Sequence, residues 1–251
     1  MKKDVVFITF LLDSNYEMST HLNDYMEFSI KTWEWWCKKN DIILHVFTKS
    51  DIPIKEMGPC WQRWYVYDIL KQNNVDYRRV AIIDADTMIR WDSPNFFEFA
   101  RDSYCGARFG ECDNWVYKSI KHFKPYFPDT DVDWEIYIDN GMVLLAENSE
   151  DFTKSITDFY WENQKQLIYD EENEYVGTDQ TPVNYLATKY YGDKIKHLSR
   201  KYNMMHMHLR EVLESFCFLD SGWIWHFNGF NNSDRKKAME DTWNKIKKYY
   251  K

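Results

Sequence analysis

The chain has 251 residues, 44% of them hydrophobic and 18% aromatic, enough for a sizeable core in one large domain or two small ones and too much for a disordered chain. Its 32 basic and 40 acidic residues leave a net charge of -8, which argues against recognition of a nucleic-acid backbone but leaves room for a small diphosphate beside a divalent cation. Cys37, Cys60, Cys105, Cys112 and Cys217 lie far apart with no C-x-x-C pair, so they read as buried free thiols in a reducing, cytoplasmic setting. The apolar stretch from Val5 to Leu12 runs into Asp13 without a small-residue cleavage site and reads as a first strand rather than a signal peptide. No apolar run approaches the roughly 18 residues that a spanning helix needs, so no transmembrane segment is expected.

In chain order, the β-branched run Val5 to Leu11 predicts a strand and Thr20 to Lys39 a long helix. Ile42 to Phe47 reads as a second strand, Trp61 to Asn73 as a helix, and the residues up to Ile83 as a third strand. Ser93 and Pro94 are placed as N-cap and first residue of a short helix through Ala100, followed by a strand over Tyr104 to Phe109. Gly110 to Tyr137, with two prolines and the acidic run Asp129 to Glu135, reads as a loop-rich insertion that would carry substrate selectivity. Beyond it come a strand at Gly141 to Ala146, a helix capped by Ser149 through about Gln164, and a helix capped by Thr178. Strands at Ile195 to Leu198 and Trp223 to Phe227 precede a basic helix opened by Ser233 and Asp234 and running to about Tyr250. Strands alternating with helices predict an α/β fold with a mainly parallel central sheet, and no linker forces a domain boundary.

Asp84-Ala85-Asp86 follows the apolar run Val80 to Ile83, so two carboxylates stand where a buried strand ends. In an open α/β sheet the ligand crevice lies beyond the carboxyl ends of the strands, and paired carboxylates there suit a hard cation such as Mg²⁺ or Mn²⁺. The tripeptide alone also fits a solvated strand-end turn, and its location favours the metal reading.

The segment Tyr77 to Ile89, with Val80 and Asp84-Ala85-Asp86-Thr87, resembles the "Y-x-x-V-hydrophobic-D-A-D-T" signature of GT-A-fold glycosyltransferases, the glycogenin-like and galactosyltransferase groups in particular. Three further segments match in order: Tyr137 to Leu145 with Asn140 and Gly141, Gly177-Thr178-Asp179-Gln180 with Asn184, and His226-Phe227-Asn228-Gly229. The resemblance implies one GT-A domain over 1–251, Rossmann-like, with a nucleotide-binding half over about 1–109 and an acceptor-side half over about 110–251. It further implies Mn²⁺ or Mg²⁺ held by Asp84, Asp86 and His226, a UDP-sugar donor, and a glycan or glycoconjugate acceptor, with retention of configuration. Asp84 is shared there between cation and ribose. Asn140 and Asp139 would hold donor-sugar hydroxyls, and Asp179 and Gln180 would sit near the anomeric carbon, so Asp179, Gln180 and Asp139 are the expected catalytic residues. Ala85, Asn228 and Gly229 complete the donor set, and Asp113 resembles a sugar-contacting acid. Phe10, Leu11, Asp13 and Tyr16 resemble the loop that cradles uracil, where Tyr16 can stack on the base and Asp13 can accept from its imide. Arg63 matches a basic position that reaches the diphosphate, and it is equally placed to be a surface charge. Relatives often carry Lys-Pro-Trp after the last motif, whereas here the chain reads Phe230 to Lys236, with Arg235 or Lys236 as substitutes for the lysine.

Other readings compete. A lone His226 between two aromatics is ordinarily a buried, hydrogen-bonded ring, and Asp179 and Gln180 are ordinary first-turn residues of a helix. Asp84 with Asp86 also resembles the nucleophile and acid-base pair of haloacid-dehalogenase-type phosphatases, which require a later lysine. A third reading is a catalytically silent sugar-nucleotide or carbohydrate binder. Asp129, Asp131 and Asp133 mimic a calcium loop, but Trp134 stands where glycine is needed. His206 and His208 would share one face of a strand with no third ligand at zinc spacing.

Overall fold

The computed structural model describes residues 2–11, 17–99, 103–109, 113–174 and 176–251, and of residues 17–23, 113 and 210–212 the backbone only. The strands are β1 (Lys3–Thr9), β2 (Ile43–Phe47), β3 (Tyr77–Ile83), β4 (Thr87–Ile89), β5 (Tyr104–Arg108), β6 (Ile138–Leu145), β7 (Ile195–Leu198) and β8 (Ile224–His226). The helices are α1 (Glu17–Lys39), α2 (Pro59–Gln62), α3 (Val66–Gln72), α4 (Asp113–Phe123), α5 (Glu150–Asn173), α6 (Gln180–Tyr191), α7 (Arg210–Ser215), α8 (Phe218–Ser221) and α9 (Asn232–Ile246).

Six strands form one sheet in the order β2-β1-β3-β6-β5-β7, and β4 pairs with β8 in a separate ladder. Every partner in the large sheet runs the same way except β6, which is antiparallel to both β3 and β5. The mainly parallel α/β sheet expected from the sequence is therefore observed. Because side chains alternate across a strand, Phe7, Val80, Ile82 and Val143 enter one core while Val6, Ala81, Ile83 and Leu144 enter another. The first core is closed by α3, α5 and α6, with Leu70, Ile156 and Val183 inside it. The second is closed by α1 and α9, with Trp33, Trp36 and Met239. Both faces are covered, which is why β1, β3 and β6 read as continuous apolar runs.

At the start of β3 the parallel pairing slips: Lys3 stands opposite Tyr77 and Val5 opposite Val80, so Asp4 alone faces Arg78 and Arg79. Arg78 donates to Asp4 from Nε and Nη2 at 3.0 and 2.6 Å, and Arg79 from the same two atoms at 3.0 and 2.7 Å. Asp4 is 5% exposed, and these hydrogen bonds hold its carboxyl below the usual carboxylate range despite its burial.

Several sequence expectations need correction. The helix expected over Trp61 to Asn73 is broken by a 3₁₀ turn at Arg63–Tyr65, and it starts early because Pro59 suits a first helical position. The expected loop after Gly110 contains α4, whose Val116, Ile120 and Phe123 recur at helical spacing and pack inward. Ser93 caps no helix: its carbonyl accepts the Trp36 indole at 2.9 Å, and Asn95 Oδ1 instead accepts from Phe97 N in a 3₁₀ turn at Phe96–Phe99. Ser149 holds the N-cap position of α5 as expected, but its hydroxyl donates to Ala146 O and not to a helix N–H, and the helix continues to Asn173 rather than ending near Gln164. Asp179, not Thr178, is the N-cap residue of α6, and Asn231 opens α9 by accepting from Asp234 N. His206 and His208 lie on a turn with His206 at φ 66°, not on a strand. Of the described cysteines, all free, Cys37 and Cys105 are buried whereas Cys217 is exposed.

Candidate functional site

The site begins where β3 stops. Asp84 N donates to Gly141 O at 2.9 Å across the start of β6, and Thr87 Oγ1 donates to Asp84 O at 2.7 Å, closing the turn that carries Ala85 and Asp86. The buried Trp33 indole donates to the same Thr87 hydroxyl at 3.1 Å, so α1 fixes the turn from behind. The β4–β8 ladder then pairs Thr87 with His226, and Phe227 N donates to Asp86 O at 2.8 Å. This short ladder brings residue 226 beside residue 86.

His226 Nε2 lies 3.2 Å from Asp86 Oδ1 and 3.5 Å from Asp84 Oδ2. One ligand atom from each of the three residues falls within 4.8 Å of the others, the one such group among the described residues. The other imidazole nitrogen, Nδ1, meets Asn203 Oδ1 at 2.9 Å, while Asn203 Nδ2 donates to Asp139 Oδ1 at 2.6 Å. Because the Asp139 carboxylate can only accept, the Asn203 amide is oriented, His226 Nδ1 must be the donor, and Nε2 faces the two carboxylates. Gly141 permits this: a Cβ there would sit 2.3 Å from His226 Cε1 and 2.7 Å from Asp139 Oδ1. Two hard carboxylates and an imidazole held by a partner on its far nitrogen fit Mn²⁺ or Mg²⁺ as a donor set.

The surrounding charges are unequal. Arg63 is 6% exposed, so it is no surface charge; its Nη1 contacts Asp84 Oδ1 and its Nε and Nη2 donate to Asp179 Oδ2 at 3.2 and 2.7 Å. Asp179 Oδ2 also accepts from Trp64 Nε1 at 2.8 Å and faces Asn140 Nδ2 at 3.4 Å. Arg235 Nε lies 3.3 Å from Asp86 Oδ2, with the guanidinium 5.5 Å from the Tyr25 ring centre. Burial pushes the Asp84 carboxyl up, against the pull of Arg63 and His226. Asp86 is also raised by burial, but His226 and Arg235 outweigh this and hold it below its ordinary value. Burial lowers His226, and the two aspartates more than reverse this, raising it to about 9.

These residues face a cleft of about 780 Å³. From the expected set, Leu11, Arg63, Asp84, Ala85, Asp86, Asp139, Asn140, Asp179, Gln180, His226, Asn228 and Gly229 all line it. Phe10 is fully buried in the core, and its neighbours Thr9 and Leu11 form the wall instead. Asp13 and Tyr16 lie outside the described residues, and Asp113 is described only as the first residue of α4. The calcium-like acids are used locally: Asp131 pairs with Lys124 at 2.7 Å and Asp133 Oδ1 caps Glu135 N at 2.8 Å.

No protein-family model and no curated protein sequence matches this chain. Among solved structures, a glycosyltransferase involved in the glycosylation of the major capsid of PBCV-1 is similar with a TM-score of 0.57 at 9% identity, over 95% of this chain and 99% of that one. The two share a fold. The apo-form glycosyltransferase GlyE of Streptococcus pneumoniae TIGR4 and the bifunctional glycosyltransferase WbbM are similar at TM-scores of 0.47 and 0.46, with 14% and 12% identity. This chain covers 64% and 52% of their lengths. No described helix is long and apolar enough to cross a membrane.

Sequence reasoning missed Asn203, an isolated polar residue with no periodic or motif signal, and the buried bridging position of Arg63. It also passed over Trp115 and Glu171, which line the cleft beside Gly177 and Asp179. Trp115 could have been found as the aromatic of α4 that breaks the Val116, Ile120, Phe123 stripe.

Proposed function

We propose that this chain is a metal-dependent glycosyltransferase that moves a sugar from a UDP-sugar to a hydroxyl of a glycan or glycoconjugate, with retention at the anomeric carbon. The observation that carries the reading is the convergence of Asp84, Asp86 and His226 on the wall of a large cleft. A shared fold with a glycosyltransferase supports it. Asp84, Asp86 and His226 would hold Mn²⁺ or Mg²⁺, which when bound supplies Lewis-acid compensation for the charge of the departing diphosphate.

The remaining duties fall to the chain itself. Arg235, beside Asp86 and at the first turn of α9, is the cation available to a diphosphate oxygen in place of the lysine of relatives. Asn140 and Asp139 present polar atoms to the donor sugar. Asp179 is pinned by Arg63, Trp64 and Asn140, so it positions the donor pocket rather than attacking, whereas the half-buried Gln180 faces the cleft. In the transfer, the bond between anomeric carbon and diphosphate oxygen breaks with its electron pair going to UDP, and the acceptor oxygen bonds to that carbon on the same face. The acceptor proton leaves with the diphosphate. Residues 1–109 would contribute most of the nucleotide contacts and 110–251 most of the acceptor contacts. The phosphatase reading is disfavoured because no lysine lines the cleft among the described residues.

The test is UDP-sugar binding and hydrolysis with and without Mn²⁺ on the wild type and Asp86→Ala. We expect Mn²⁺-dependent binding and slow donor hydrolysis that Asp86→Ala removes. If a panel of UDP-sugars neither binds in Mn²⁺ nor depends on Asp86, the assignment is wrong, and an acyl-phosphate trapped at Asp84 would restore the phosphatase.

A further inference from the structure

Asp179 and Gln180 have a second set of neighbours that the donor and metal residues leave unused. Trp115, on α4, and Phe109, after β5, are both half-buried and both line the cleft, with ring centres 5.6 Å apart and planes inclined at 43°. Trp115 lies over Gly177, whose φ is 82° and where a Cβ would come within 2.6 Å of Trp115 Cζ2. The backbone just before Asp179 is therefore shaped to seat an indole against it. Glu171, near the end of α5, also lines the cleft; the residue is exposed at the rim, yet its carboxyl is pushed up to about 7, by burial first and then by Asp179 and Glu172.

Two partly exposed rings and a carboxylate thus line one cleft. The C–H bonds on one face of a pyranose ring carry partial positive charge and meet the negative face of an indole, while its hydroxyls donate to a carboxylate. A pyranose ring offers both an apolar C–H face for the indole and hydroxyls for the carboxylate, whereas a lipid chain would leave Glu171 without a partner.

We propose that Trp115, Phe109 and Glu171 form the acceptor subsite, and that it takes a pyranose ring of a glycan, stacked on Trp115 with a hydroxyl donated to Glu171. This rests on the glycosyltransferase reading above, narrows its acceptor to a glycan pyranose and assigns the residues that hold it. The experiment is saturation-transfer NMR on the full chain with UDP and Mn²⁺, using maltotriose, cellotriose, lactose and N-acetyllactosamine as probes, alongside the thermal shift given by UDP and Mn²⁺. We expect at least one probe to receive saturation on a single ring. Trp115→Ala should weaken that binding about ten-fold, with Trp115→Phe restoring part of it and Glu171→Gln giving a smaller loss. The UDP and Mn²⁺ shift should persist in all three variants. Should no saccharide bind while that shift is present, or should both Trp115→Ala and Glu171→Gln bind as wild type, the subsite is wrong. Loss of the shift in the wild type instead overturns the underlying glycosyltransferase reading.

Discussion

Strand β3 carries a buried ionic cluster at each end, and the two are built on opposite principles. At its start, one carboxylate, Asp4, meets two arginines, each donating twice, and is 5% exposed. At its finish, Asp84, Asp86, Asp139 and Asp179 face, among the described cationic residues, only Arg63, Arg235 and His226, and the Asp84 side chain keeps 32% of its surface exposed. In the first cluster the charge of Asp4 is fully answered and the carboxylate itself is closed off, with Arg78 and Glu98 at the solvent edge. The second holds carboxylates in excess, in a cavity, with an imidazole already aimed at two of them. Surplus of one sign beside open space, rather than burial of charge as such, separates a binding site from a structural brace.

Substitution at each end should break that contrast in opposite ways. Asp86→Ala should cost turnover on the order of 10²–10³-fold while leaving a folded chain, since it relieves part of the carboxylate excess. Asp4→Asn should do the reverse, removing about 3 kcal/mol of stability by urea unfolding because the buried Arg79 guanidinium keeps only the exposed Glu98, 3.6 Å away, as a charge partner, with Mn²⁺ and UDP affinity of the folded protein unchanged. Equal loss of metal affinity in both variants would erase the distinction. The Asp4 contribution is present above the ordinary carboxylate value of 3.8 and fades as pH falls through its lowered native value.

Asn203→Ala sharpens the same comparison at a distance, because Asn203 does not line the cleft and acts through the two residues it bridges, His226 and Asp139. We expect Mn²⁺ affinity to fall about 10–100-fold by calorimetric titration, with little change in UDP affinity measured without metal. The last effect concerns pH. His226 has a raised pKa, so in metal-free protein its stabilising contribution is fully present below about 6.5 and is lost as pH rises through about 9. On the order of 3 kcal/mol is the ceiling for that window, and His226→Gln should flatten the slope seen by thermal unfolding between those pH values.

How much of this could be read beforehand follows from the range of the interactions. The run Val80 to Ile83 followed by Asp84-Ala85-Asp86 announces a buried strand ending at a crevice because burial on both faces removes the polar alternation. His226 was legible only through the order of its motif, since its approach to Asp86 depends on a β4–β8 pairing that joins Thr87 to His226 and Ile89 to Ile224, far apart in the chain. Asn203 and Arg63 escaped for the same reason: a buried bridging role is decided by partners far away in sequence, and no local pattern records it. The helix α4 escaped differently, because prolines and acids further along 110–137 masked a short stripe of three apolar residues.

Gly141 also bears on how such a chain can vary. Since β6 runs against its neighbours, its first residues lie beside the last residues of β3, and the glycine is the one that meets His226. A shift of one position along β6 would exchange it for Asn140 or Met142, each bearing a side chain where 2.3 Å is available. A single inserted or deleted residue between Ile138 and Gly141 should therefore silence the protein at once.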